Sequence, residues 1–197
     1  PGINLDIQEG NTTLLERAYE DNLIDLMVNY DFDERMDQKS EPLYVEDLYF
    51  VRSYDESIVG EIEIDLKDLE GHLIGSSPGR YSLRKTLDKY AADNGIDFKF
   101  VDDFRSASAS IKITEAGLMS TVCPWDWIHD QMASKRLCAA KIVNPSMNRT
   151  ACLVSSLGEK PAPAIDAAVG ALKEAIIQAE HEGKLRGTLL WENSEQG

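Results

Sequence analysis

The chain has 197 residues, 43% of them hydrophobic, which suffices for one sizeable domain or for two small α/β lobes sharing a ligand site. Twenty Lys and Arg against 35 Asp and Glu leave a formal net charge of −15. Nucleic acid and anionic lipid both call for a basic face, and no Lys/Arg-rich run supplies one, so this segment is not expected to bind either.

No apolar stretch approaches the roughly 20 residues that span a bilayer. The opening Pro1-Gly2-Ile3-Asn4-Leu5-Asp6 has neither the charged nor the apolar region of a signal peptide. Cys123, Cys138 and Cys152, odd in number and widely spaced, read as reduced, buried residues of a cytoplasmic protein. The sequons at Asn11 and Asn148 are read as chance occurrences.

Ile3 to Ile7 alternates apolar and polar residues with period two and predicts a strand. Asn11 is a suitable N-cap for a helix from Thr12 to Asp21, and Asn22 suits the left-handed position that ends it. Leu23 to Val28 predicts a buried strand, followed by an acidic polar stretch from Asp31 to Glu41. A longer strand pattern covers Pro42 to Arg52. Asp65 to Gly71 predicts a short helix, and His72 to Ile74 a strand. Leu83, Leu87 and Tyr90-Ala91 form one face of a helix from Tyr81 to Asn94, closed by Gly95. Then follow a strand at Ile96 to Val101, a helix at Ser106 to Ala116 ending on Gly117, and a strand at Met119 to Cys123. Pro124 starts a short helix with Trp125 and Trp127. Strands at Leu137 to Val143 and Thr150 to Ser155 precede a last helix striped by Ile165, Val169, Leu172 and Ile176. Alternating strands and helices predict parallel-containing sheets covered on both faces.

Polar, helix-capping residues gather where strands run into helices: Gly10-Asn11-Thr12-Thr13, Gly75-Ser76-Ser77-Pro78-Gly79-Arg80 and Arg105-Ser106-Ala107-Ser108. Such junctions expose backbone N–H groups at the positive end of a helix dipole and favour anions. Gly75 to Gly79 also fits the G-x-S-x-G nucleophile elbow. That chemistry needs the N–H of the residue after the serine, and Pro78 has none. His72, His129 and His181 lack the i, i+4 spacing of a metal helix, and Asp31, Asp33, Glu34 and Asp37 lack the order of a calcium loop. Trp125-Asp126-Trp127 reads either as an aromatic shelf or as a packed helix start. No coherent acid/base or nucleophile set emerges, so neither enzyme activity, cofactor nor metal is expected.

The order of these segments resembles the regulatory domain of LysR-type transcriptional regulators. The resemblance is carried by Glu9-Gly10-Asn11-Thr12, Leu23 to Val28 and Pro42 to Leu48, then by His72-Leu73-Ile74 with Ser76-Ser77. It continues through Leu83-Arg84, Asp103 with Ser106, Glu115-Ala116-Gly117-Leu118 before Thr121 to Pro124, and Ala140 to Pro145 before Arg149-Thr150. It implies a type II periplasmic-binding-protein-like fold, with two α/β lobes joined by two crossing strands. Residues 1–44 and 152–197 would form lobe I, incomplete at its start, and residues 45–151 lobe II. The DNA-reading helix-turn-helix and the first strand and helix of lobe I would lie upstream.

The resemblance further implies a small-molecule effector, with carboxylate the expected chemistry, held between the lobes. Asn11, Thr12, Asn29, Tyr30, Ser76, Ser77, Arg80, Tyr81 and Ser106 would line its pocket. A homodimer or homotetramer is expected, touching DNA only through the absent domain and touching no membrane. Two features depart from the family: glycine is usual where Met119 stands, and Tyr30 and Tyr81 vary widely among relatives. The alternative is a solute-binding protein of a transport system, which shares the fold. A helix-turn-helix or a signal peptide upstream of Pro1 would decide between them.

Overall fold

A computed structural model of the chain describes residues 3–30, 40–57, 62–79, 81–101, 104, 106–155 and 163–191. Its spine is a strand of 14 residues, β2 (Ser40–Ser53), which changes partners along its length. Residues 40 to 47 pair antiparallel with β8 (Asn148–Ser155), whose other edge holds β1 (Leu26–Tyr30). From Leu48 onward β2 pairs instead with β6 (Ser120–Pro124) and β7 (Leu137–Val143). One continuous strand thus ties two sheet portions together.

The second portion contains the parallel pairs. β4 (Leu73–Gly75) lies parallel to β5 (Lys99–Val101) and to β6, and β3 (Ile62–Asp65) lies parallel to β7. The rest of the ladder is antiparallel, so the expectation of parallel-containing sheets holds for this portion. β9 (Gly187–Leu189) adds a short antiparallel strand to β2 at residues 44–46.

Both portions are covered on both faces, which is why their strands read as near-continuous apolar runs. Alternate side chains of β2 enter different cores. Leu48 and Phe50 join Leu66, Ile74, Leu87 and Val122 beneath α2 (Ser82–Asn94). Tyr49 and Val51 join Ile111, Cys123, Ile128 and Leu137 beneath α3 (Ala107–Glu115) and α4 (His129–Ala133). Leu48 and Val51 have no exposed surface, and burial of such a side chain contributes about 1.5–3 kcal/mol. In the first portion Met27 and Val154 pack with Tyr19 of α1 (Thr12–Glu20). Ala151 and Leu153 pack on the opposite face with Val169, Leu172 and Ile176 of α5 (Pro163–His181).

Helix ends follow their local chemistry. Asn11 caps α1 by accepting the Leu14 N–H at 3.1 Å, and Asn22 takes the left-handed conformation at φ 56°. Gly95 closes α2 at φ 66°, and Gly117 follows α3 at φ 71°. The segment predicted as a helix at Asp65 to Gly71 is a single 3-10 turn, Leu66–Leu69. The main departure is Ile3 to Ile7, which forms no strand: its apolar residues are exposed, and no strand pairs with them among the described residues. Alternation supplies a face, but a strand also needs a ladder partner. β3 and β9, too short for a visible period, were not expected from the sequence. All three cysteines are buried, each as a thiol rather than in a disulfide. The acidic residues Asp31, Asp33, Glu34 and Asp37 lie outside the described residues.

Candidate functional site

α1 and α2 start close together, one from each sheet portion. The Thr12 hydroxyl, in the first turn of α1, donates to the Ser82 hydroxyl, in the first turn of α2, at 3.2 Å. From this contact a cavity of about 530 Å³ extends between the two helices. Thr12 and Glu16 line it from α1, Asn29 and Tyr30 from the end of β1, and Arg149 and Thr150 from β8. The long wall is α2, which presents Ser82, Lys85, Thr86, Lys89, Asp93 and Asn94.

The wall on the β1 side is pre-set by hydrogen bonds. Asn29 is buried; its amide nitrogen donates to Glu16 Oε1 at 3.0 Å and its carbonyl oxygen accepts the Tyr30 N–H at 2.8 Å. At the back, the guanidinium of Arg149 lies 3.6 Å from the centre of the Tyr30 ring and forms a buried ion pair with Glu46 of β2. Burial works against the charge of Arg149, but Glu46 and the neighbouring acid and phenol groups outweigh it and leave its pKa raised. Burial also raises the Tyr30 phenol, which sits 3.4 Å from the Tyr44 hydroxyl. Asp126 stands in the same electrostatic neighbourhood. Burial raises its carboxyl pKa against the opposing field of Arg149, and its Oδ1 has no hydrogen-bond partner among the described residues.

The predicted contact residues divide between two places. Thr12, Asn29 and Tyr30 meet in the large cavity. Ser76, Ser77 and Ser106 meet instead around a void of about 10 Å³ that shares no lining residue with it. A hydroxyl relay closes that junction: Ser110 donates to Thr121 at 3.3 Å, and Thr121 to the Gly75 carbonyl at 3.1 Å. Met119 adds to the filling, because its thioether end occupies the space a Cβ on Gly75 would need. The turn thus accepts a side chain at Met119 because Gly75 has none.

Asn11 and Tyr81 line neither cavity. Asn11 spends its side chain on the α1 cap, and Tyr81 is buried at the N-cap position of α2. Arg80 lies outside the described residues. Sequence reasoning missed Glu16, Ser82, Lys85, Thr86, Lys89 and Asp93. For the five on α2 the signal was the polar face of that helix: Ser82, Lys85 or Thr86, Lys89 and Asp93 recur every three or four residues beside the apolar stripe.

A second contact joins the two sheet portions. Trp125, in the 3-10 turn Trp125–Trp127, donates its indole N–H to the Gly183 carbonyl at 2.8 Å, in the turn after α5. The Arg186 guanidinium covers the same ring at 3.6 Å, and Tyr49 packs on it at 5.4 Å between ring centres. These rings are a packed helix start. Of the histidines, His72 sets its ring against Phe50 at 5.0 Å, His129 Nδ1 lies 3.0 Å from the Asp126 carbonyl, and His181 is exposed.

The family model for the LysR substrate-binding domain matches residues 1–176. The chain belongs to that family. Solved LysR-family regulatory domains share its fold. The CcmR regulatory domain of Synechocystis PCC6803, in complex with 2-PG, is 15% identical at a TM-score of 0.77, over 89% of this chain and 84% of that one. The effector-binding domain of QuiR, in complex with shikimate, is 19% identical at a TM-score of 0.69, over 80% and 74% of the two chains. A Corynebacterium glutamicum OxyR mutant is 25% identical at a TM-score of 0.69, over 88% of this chain and 56% of that one. No curated protein sequence matches the chain. The fold is therefore the periplasmic-binding-protein-like one of LysR regulatory domains, and the domain is an effector-sensing one. Among the described residues no helix is long and apolar enough to cross a membrane.

Proposed function

We propose that this LysR-family domain binds a small carboxylate-bearing metabolite in the cavity between α1 and α2 and relays its occupancy to a DNA-binding helix-turn-helix elsewhere in the protein. One observation carries the reading: the cavity takes its walls from both sheet portions and its back from β8, which pairs with the first part of β2, the strand that continues into the second portion. A ligand there touches both lobes at once. It therefore favours one lobe arrangement by its differential affinity, and coupling of about 1–3 kcal/mol suffices to shift a regulator.

The chemistry of the walls supports an anion. The starts of α1 and α2 bring two positive dipole ends and two hydroxyls together, with Lys85 and Lys89 beside them. Thr12, Asn29 and Tyr30 are proposed as direct contacts. Asn11, Ser76, Ser77, Arg80, Tyr81 and Ser106 are proposed to shape the adjoining junctions. The lobe division at residues 44/45 and 151/152 is supported by the exchange of β2 partners between Asp47 and Leu48. Cytoplasmic location and assembly as a homodimer or homotetramer belong to the same proposal, as properties of a regulator of this kind.

Thermal-shift screening of small carboxylates, followed by calorimetry, tests the reading. A ligand that raises the melting temperature and binds more weakly to Thr12→Ala or Ser82→Ala is the expected result. If no carboxylate binds, or if binding ignores both substitutions, the reading fails.

A further inference from the structure

The cavity carries charges of both signs that do not neutralise each other. In a chain with a net charge of −15, cations readily find carboxylates: Arg84 pairs with Asp88, Lys141 with Asp47, Lys173 with Glu41 and Lys184 with Glu182. Lys85 and Lys89 stand one turn apart on the cavity wall, and neither makes an ion pair among the described residues. Like charges at i, i+4 destabilise an isolated helix, so the pair is not there to support α2.

Glu16 shows the converse. It is half-buried on the α1 wall, its Oε1 is held by the Asn29 amide, and no cation partners it among the described residues. Arg149 does not serve it, being committed to Glu46 and stacked on Tyr30. Asp93, the other acid of the cavity, is exposed near the far end of α2. A fixed carboxylate on one wall and two ammonium groups on the other, neither ion-paired among the described residues, within one cavity of about 530 Å³, are complementary to a ligand that carries both charges.

We propose that the effector is a zwitterionic amino acid, its ammonium group received by Glu16 and its carboxylate by Lys85 and Lys89. This rests on the reading of the cavity as the effector site and narrows its ligand class. Glu16 and Lys89 come from different lobes, so such a ligand bridges α1 and α2. A plain carboxylate would leave the Glu16 carboxylate without a counter-charge.

The test is calorimetry on the full chain with the twenty proteinogenic L-amino acids and with ω-amino acids of three to six carbons, each beside the acid that lacks its amino group. The expected result is at least one amino acid that binds about tenfold or more tightly than its deaminated partner. That preference is expected to vanish in Glu16→Gln, and binding is expected to weaken about tenfold in Lys85→Met/Lys89→Met. Circular dichroism confirms that both variants fold. A carboxylate that binds as well without its amino group, or an amino acid whose affinity Glu16→Gln leaves unchanged, overturns this inference and leaves the carboxylate reading intact. Failure of every acid, amino-bearing or not, overturns both.

Discussion

The Thr12 hydroxyl donates to the Ser82 hydroxyl at 3.2 Å, joining two helix starts 70 positions apart in the chain. It is a half-buried neutral bond, so its loss in Ser82→Ala is expected to cost about 0.5–1.5 kcal/mol in urea unfolding. The larger expected effect is on the lobes: without the bond, small-angle scattering of the unliganded protein should show a larger radius of gyration. An unchanged radius would mean that the packing around Trp125 alone sets the lobe angle.

Glu46 and Arg149 form the buried charge pair at the back of the cavity, and both are almost wholly excluded from solvent. Removing one partner leaves the other charge buried without compensation, so Arg149→Met is expected to cost about 3–5 kcal/mol. Removing both together, as Glu46→Gln/Arg149→Met, should cost clearly less than the sum of the two single changes. A double-mutant cycle by denaturant titration measures the difference.

Asp126 gives a pH dependence of definite sign. Burial, the largest influence on it, raises its carboxyl pKa above the ordinary value near 3.8. In the interval between its unfolded and folded pKa values the native state holds more protons than the unfolded chain, so stability falls as pH rises through it. Asp126→Asn removes this slope. The difference in stability between wild type and Asp126→Asn should therefore shift in favour of the asparagine variant as pH climbs from about 4, followed by denaturant melts at several pH values. A difference independent of pH would show that Asp126 ionises in the folded protein as it does in the unfolded one.

Two glycines make contrasting predictions. A Cβ on Gly187 would run into the Val45 carbonyl of the paired strand, and backbone there cannot retreat without breaking the β2–β9 ladder. A Cβ on Gly75 would meet only the flexible end of Met119. Gly187→Ala is expected to cost about 1–3 kcal/mol, and Gly75→Ala less, with the loss reduced further in Gly75→Ala/Met119→Ala. Thermal melts of the three variants provide the comparison.

The fold was legible where a segment carries both a period and a terminator. α1, α2 and α3 end near their predicted residues because Asn11, Asn22, Gly95 and Gly117 act locally. Ile3 to Ile7 misled because its alternation is real while its ladder partner is not among the described residues. The site was half legible. Thr12, Asn29 and Tyr30 do meet, whereas Ser76, Ser77 and Ser106 collect around their own closed junction. Which junctions share a cavity depends on how α1 and α2 approach across the sheets, and capping chemistry carries no information about that. Lys85 and Lys89 carry no signal in the sequence beyond the polar face of α2, and only the approach of α1 places them on a cavity wall.

Hydrogen–deuterium exchange with and without a carboxylate that stabilises the protein tests the central claim most directly. Occupancy of the cavity should slow exchange together in Thr12–Glu20, in Ser82–Asn94 and near Arg149, because one ligand orders elements of both lobes. Protection confined to one of these helices, or placed around Ser76 and Ser106 with α1 untouched, would contradict it.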